Sequence, residues 1–149
     1  MIGQATEAEA EVLAALHARA FEHAWAAQTF RDFFNSMPAF AFVAPATAPQ
    51  GLVLAWADAG EAEILTLAVS PSARRSGFGC ALAERACAEA LTRGAEAVHL
   101  EVAEDNAAAR ALYEKIGFAE VGRRAGYYAQ GDVSAIIMRR RLAGGQRAP

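Results

Sequence analysis

Apolar and polar positions recur along this chain with two different periods, and the switches between them outline its elements. Over residues 7–21 the apolar positions Val12, Leu13, Leu16 and Ala20 follow the three-and-four spacing of one helix face, with Thr6 placed to cap the first turn. Residues 27–36 predict a second, short helix that ends before Pro38. The apolar runs 40–43 and 51–57 flank a loop containing Pro45 and Pro49 and read together as a hairpin. Residues 63–69 form, after Glu63, an apolar run broken only by Thr66, as expected of a central strand covered on both faces, and Pro71 stops it. A helix follows from 77 or 78 to 93, with Leu82, Ala86 and Leu91 near one stripe and Gly94 as its terminator. A strand is expected over 97–102, a helix over 106–116 closed by Gly117, and two strands over 118–123 and 133–141 around a polar loop. This order predicts an α+β fold: a central mixed α/β sheet with helices on both faces and a right-handed βαβ crossover.

Composition narrows the class. A chain of 149 residues fits one domain, expected over 1–142, with 143–149 as a tail. Roughly a quarter of the residues are Ala, so 54% hydrophobic content overstates the bulky core. A net charge of −3 counts against a nucleic-acid partner. No apolar run reaches the ~18 residues of a membrane span, and the polar, acidic start lacks the features of a secretory signal; a cytoplasmic protein is expected. Cys80 and Cys87 stand seven apart in a helical pattern, ~10 Å along the axis, too far for a disulfide. No Cys/His cluster is spaced for a metal, and none is expected.

The informative segment joins the buried strand to the long helix: Val69-Ser70-Pro71-Ser72-Ala73-Arg74-Arg75-Ser76-Gly77-Phe78-Gly79-Cys80. Helix N-termini present unpaired N–H groups and partial positive charge, so they attract phosphate. Gly77 and Gly79 let backbone approach an anion, and Arg74 and Arg75 add charge. Leu82 stands where a dinucleotide fingerprint needs its third glycine, and no Gly-Lys-Ser/Thr of a P-loop is present.

Arg-x-x-Gly-x-Gly after a strand ending Ala-Val-Ser-Pro resembles the acetyl-CoA pyrophosphate motif of the GNAT N-acetyltransferase superfamily. Leu100-Glu101-Val102, Asn106 to Arg110 and Leu112 to Phe118 are similar to its second half. Within the superfamily, Gly122 to Tyr128, Asp132 to Met138, and Phe21, Trp25, Thr29 and Phe30 resemble the bacterial ribosomal-protein alanine N-acetyltransferases. The resemblance implies an acyl-CoA N-acyltransferase fold in which strands 63–69 and 97–102 splay into a V around the pantetheine arm. It also implies acetyl-CoA as cosubstrate and a protein N-terminus as acceptor. Backbone groups of Leu67, Ala68 and Val69 would then bind the arm, and amides of Arg75, Ser76, Gly77, Phe78, Gly79 and Cys80 the diphosphate, with Asn106 also touching the arm. A lysine side chain or small amine is the alternative acceptor; a non-catalytic acetyl-CoA sensor is the alternative of another class.

Glu101 shares a strand face with Ala97 and His99, and a carboxylate in a mostly apolar strand is a candidate base. The resemblance places it at the base position. Tyr113 is the candidate acid, since a phenol stays protonated at pH 7 and can donate to a thiolate. His99 could assist the base or be a satisfied, half-buried ring. Arg123, Arg124, Tyr127 and Tyr128 are expected to wall the peptide slot, with Trp25. Two departures fall near that slot: Ala103 replaces the group's usual Arg, and Ala24-Trp25-Ala26 replaces Pro-Trp-Ser.

Overall fold

The computed structural model describes residues 1–128 and 133–142; the side chains of Tyr127 and Tyr128, the expected tail and the centre of the last loop lie outside that set. In chain order the elements are β1 (Gly3–Ala5), α1 (Ala10–Ala20), α2 (Ala27–Ser36), β2 (Ala39–Ala44), β3 (Gly51–Asp58) and β4 (Glu61–Val69). Then come α3 (Phe78–Thr92), β5 (Ala97–Ala103), α4 (Ala107–Lys115), β6 (Ala119–Tyr128) and β7 (Val133–Arg141). The seven strands form one sheet in the order β1-β2-β3-β4-β5-β7-β6. β4 and β5 are parallel and the other pairs antiparallel, which is the expected mixed sheet.

Two apolar layers cover the sheet. α1 and α2 bury Leu13, Leu16 and Phe30 against Leu52, Leu54 and Ala68 on one face. α3 and α4 bury Leu82, Ala83, Ala86, Cys87 and Tyr113 against Val53, Ile64, Leu100 and Ile136 on the other. Alanines on the inner face of α3 bring its backbone close to the sheet, so small residues here serve packing rather than dilute it.

The structure adds one strand and moves some ends. β1 pairs with the β2 edge at Gly3↔Val43 and Ala5↔Ala41; Gly-Gln-Ala carries no alternation long enough to announce it. The first helix opens with a tight 3-10 turn over Glu7–Glu9. There Thr6 and Glu9 form a reciprocal capping box, and α1 proper starts at Ala10. β6 runs on to Tyr128 because β7 pairs with it as far as Tyr128↔Val133.

Candidate active site

The site begins where two strands part. β4 and β5 pair only at Glu61↔Ala97, Ala62↔Val98 and Glu63↔His99. Beyond His99, β5 continues its ladder with β7 alone, and β4 with β3 alone. A register irregularity at Leu54/Ala55 puts Leu65 out of step on β4 just past the parting, and a bulge of this kind bends and twists its strand. The wedge between the strands is thereby open, with one edge of β4 exposed as a template for an extended ligand.

Two cavities of about 660 and 680 Å³ occupy this wedge. They share Phe21, Leu67, Asn106, Ala109 and Tyr113, so they are halves of one groove. The first half reaches the loop before α3; the second reaches Glu101.

The loop is built from unusual backbone. Arg75 has φ +68° and Gly77 φ +90°, both left-handed, with Gly77 the residue that caps α3. Ala81 N–H donates to the Gly77 carbonyl at 3.0 Å, the first bond of the helix. The amides of Phe78, Gly79 and Cys80 precede it and therefore have no partner within the helix. Arg74 Nε donates to the Val69 carbonyl at 3.2 Å, and the Ser76 hydroxyl donates to the Ala73 carbonyl, which together fold the loop back on the strand end. Arg74, Arg75, Phe78 and Gly79 line the first half of the groove; Ser76, Gly77 and Cys80 do not. The two glycines have different reasons. A Cβ on Gly77 would meet nothing within 4 Å, whereas one on Gly79 would lie 2.7 Å from Leu112 Cδ1. Gly77 thus serves the turn, and Gly79 leaves room for the Leu112 side chain of α4.

At the other end, Glu101 lines the second half of the groove, and its Oε2 lies 2.8 Å from Arg124 Nη2. Tyr113 is 6% exposed, packs edge-on to Phe118 and lines both halves. Its hydroxyl makes no hydrogen bond to a described residue, and burial pushes its pKa well above the ordinary tyrosine range. Asn106 caps α4 by accepting from the Ala109 amide at 3.1 Å, and its position at the junction of both halves leaves it facing the groove.

Other expected site residues lie elsewhere. Arg123 is engaged by Glu104 at 2.6 Å and Glu120 at 3.7 Å. Trp25 packs against His17, Phe30 and Phe33 and lines neither half of the groove. His99 faces Glu63 at 3.9 Å, with Trp56 donating to the same carboxylate at 3.0 Å, and it also lines neither half. The side chains of Tyr127 and Tyr128 lie outside the described residues. Two polar residues were missed: Thr66, which lines the second half, and His17, bonded to it at 3.0 Å. Their signals were a Thr interrupting an apolar strand and a His four residues after Leu13 on an apolar helix face. Among the described residues no group of three His, Cys, Asp or Glu is arranged for a metal. No described helix is long and apolar enough to cross a membrane.

A parted parallel strand pair with an amide-rich loop at one end and a carboxylate at the other defines the class. The acetyltransferase (GNAT) family model matches residues 10–118, and the chain belongs to that family. Over 80 residues it is 48% identical to the [ribosomal protein bS18]-alanine N-acetyltransferase of Salmonella typhimurium and 45% identical to that of Escherichia coli K12. Each of these matches covers 52% of this chain and 54% of the relative, so the chain spans about half the length of the curated relatives it matches. The crystal structure of the ribosomal-protein-S18-alanine N-acetyltransferase from Escherichia coli superposes with a TM-score of 0.83. That pair is 29% identical, covering 100% of this chain and 99% of the other.

Proposed function

We propose that the protein transfers an acetyl group from acetyl-CoA to the α-amine of a protein N-terminus, with an Ala-starting ribosomal protein as the acceptor class. The observation that carries this reading is the continuity of the groove from the α3 loop to Glu101, with Tyr113 where its halves meet. The residues present fit the cosubstrate. Unpaired amides of Phe78, Gly79 and Cys80 and the guanidiniums of Arg74 and Arg75 suit a diphosphate, and the free β4 edge at Leu67, Ala68 and Val69 suits an amide-bearing arm.

When bound, acetyl-CoA supplies an acetyl thioester whose C–S bond is exchanged for a C–N bond to the amine. Glu101 takes the proton that the amine nitrogen loses as it forms that bond. The Tyr113 hydroxyl holds its proton throughout the neutral range and gives it to the departing thiolate. The parted backbone near Leu67 offers an N–H donor toward developing negative charge on oxygen. Incubation with acetyl-CoA and Ala-starting peptides, read by mass spectrometry, tests the reading. Acetylation of the peptide α-amine supports it; turnover only on lysine side chains or small amines replaces it, and tight acetyl-CoA binding without turnover makes the protein a sensor.

A further inference from the structure

His17 connects the segment after α1 to the wall of the groove. Its Nδ1 lies 3.0 Å from the Trp25 backbone nitrogen, and its Nε2 lies 3.0 Å from Thr66 Oγ1. A backbone N–H only donates, so Nδ1 is the acceptor and the ring proton sits on Nε2. Nε2–H therefore donates to Thr66, and the Thr66 oxygen accepts. A hydroxyl that accepts from one side retains its own hydrogen, and the Thr66 O–H has no acceptor among the described residues. The ring is 3% exposed and is held between Phe21 and Trp25, with centroids at 4.5 and 4.9 Å, so it cannot turn to reverse the polarity. Thr66 lines the half of the groove that contains Glu101, next to the out-of-step Leu65.

The geometry points to Thr66 as an acceptor-binding residue, a hydrogen-bond donor to the first carbonyl of a peptide whose α-amine reacts, with His17 as the positioning residue that sets its polarity. This inference rests on the peptide-acetylation reading above and sharpens it. An α-amine in a peptide has a carbonyl oxygen two bonds from its α-carbon, whereas the amine of a lysine side chain or an alkyl amine has no such acceptor nearby. A donor at this place therefore selects for N-termini by supplying one bond that other amines cannot use.

The test compares an Ala-starting peptide with its alkene isostere, in which the first amide is replaced and the carbonyl oxygen lost. With the wild-type protein, kcat/KM for the isostere is expected to be about tenfold lower, the worth of one neutral hydrogen bond. In Thr66→Val the ratio between the two probes collapses toward one. Thr66→Ser, which keeps the hydroxyl, restores it; His17→Ala narrows the ratio without abolishing turnover. A melting curve for each variant identifies any that fails to fold, and the wild-type probe ratio is read independently of them. Equal rates on the two probes with the wild-type protein, or an undiminished ratio in Thr66→Val, overturns the inference while leaving peptide acetylation intact. Absence of turnover on either probe overturns both.

Discussion

Arg124 Nη2 lies 2.8 Å from Glu101 Oε2, although β7 separates their strands. The register explains how. Ala103, Ala135 and Arg124 form one row across β5, β7 and β6, and Glu101 precedes Ala103 by two residues on the same face. With only alanine methyls in the row, the long side chain can cross to the carboxylate. The position at which the ribosomal-type group usually carries Arg is Ala103 here, and a guanidinium arrives from β6 instead.

The two members of this pair have separable effects. Glu101→Gln is expected to lower kcat/KM on the order of 10²-fold, because it removes the proposed proton acceptor. Arg124 is half-exposed, and exposed ion pairs are worth at most about 1 kcal/mol, so Arg124→Ala lowers kcat/KM by no more than about fivefold. Its effect shrinks further as salt is added. Steady-state kinetics on an Ala-starting peptide at two ionic strengths distinguishes the two variants; equal losses would remove Glu101 from proton transfer.

Tyr113→Phe is expected to slow acetyl transfer by on the order of 10²-fold without loss of stability. The hydroxyl makes no bond to a described residue, so its removal leaves no orphaned partner. Because burial holds the phenol far above the neutral range, no loss of activity below pH 10 arises from its ionisation. Thiol release across pH 6–10, with melting curves for both proteins, checks both statements.

Much of the frame was legible because it is local. The loop from Arg74 to Cys80, the helix stops at Gly94 and Gly117, and the alternation that placed Glu101 beside the groove all follow from spacing along one element. What escaped depends on elements distant in sequence. Arg124 and Glu101 were both visible, one as a wall and one as a base, but their contact requires the β5-β7-β6 order. Trp25 is expected at the slot because aromatic side chains suit either role; in the structure it packs against His17 and Phe33 and lines neither half of the groove. His17 and Thr66 were missed, since a separation of 49 positions conceals a hydrogen bond from any pattern of spacing.

His17 also makes stability depend on pH. Burial pulls its pKa down from 6.5 to about 4. Between these values the unfolded chain binds a proton that the folded ring refuses, so stability falls as pH drops from 6.5 toward 4 and rises with pH across that window. A separation of this size corresponds to roughly 3 kcal/mol. Urea midpoints at pH 7 and pH 4.5 should differ accordingly, and His17→Gln should narrow the difference. An unchanged difference would mean that other groups govern the acid transition.

The two cysteines should react differently in the folded protein. Cys87 is buried on the inner face of α3, and desolvation raises its pKa to about 11, so at pH 8 about one molecule in a thousand carries the thiolate. Cys80 is only half-buried, in the first turn of the same helix. Alkylation at pH 8 followed by peptide mass mapping is expected to label Cys80 alone, with Cys87 reacting after denaturation. Labelling of both at similar rates in the native state would contradict the burial of Cys87.

The two loop glycines provide the sharpest separation of binding from folding. At Gly77 φ is +90° and a Cβ has open space around it, so Gly77→Ala strains only the turn, at about 1 kcal/mol. Relief of that strain would move the amides of Phe78, Gly79 and Cys80, which are the ones proposed to hold the diphosphate. At Gly79 the added methyl lies 2.7 Å from Leu112 Cδ1, and the Leu112 side chain must turn aside to accept it, at about 1–3 kcal/mol. Gly77→Ala is therefore expected to weaken acetyl-CoA binding about tenfold with a small drop in Tm, whereas Gly79→Ala lowers Tm by several degrees. Calorimetric titration with CoA beside thermal melts of both variants reads the two effects separately. If Gly77→Ala bound CoA as tightly as the unaltered protein, the left-handed turn would have no part in presenting those amides.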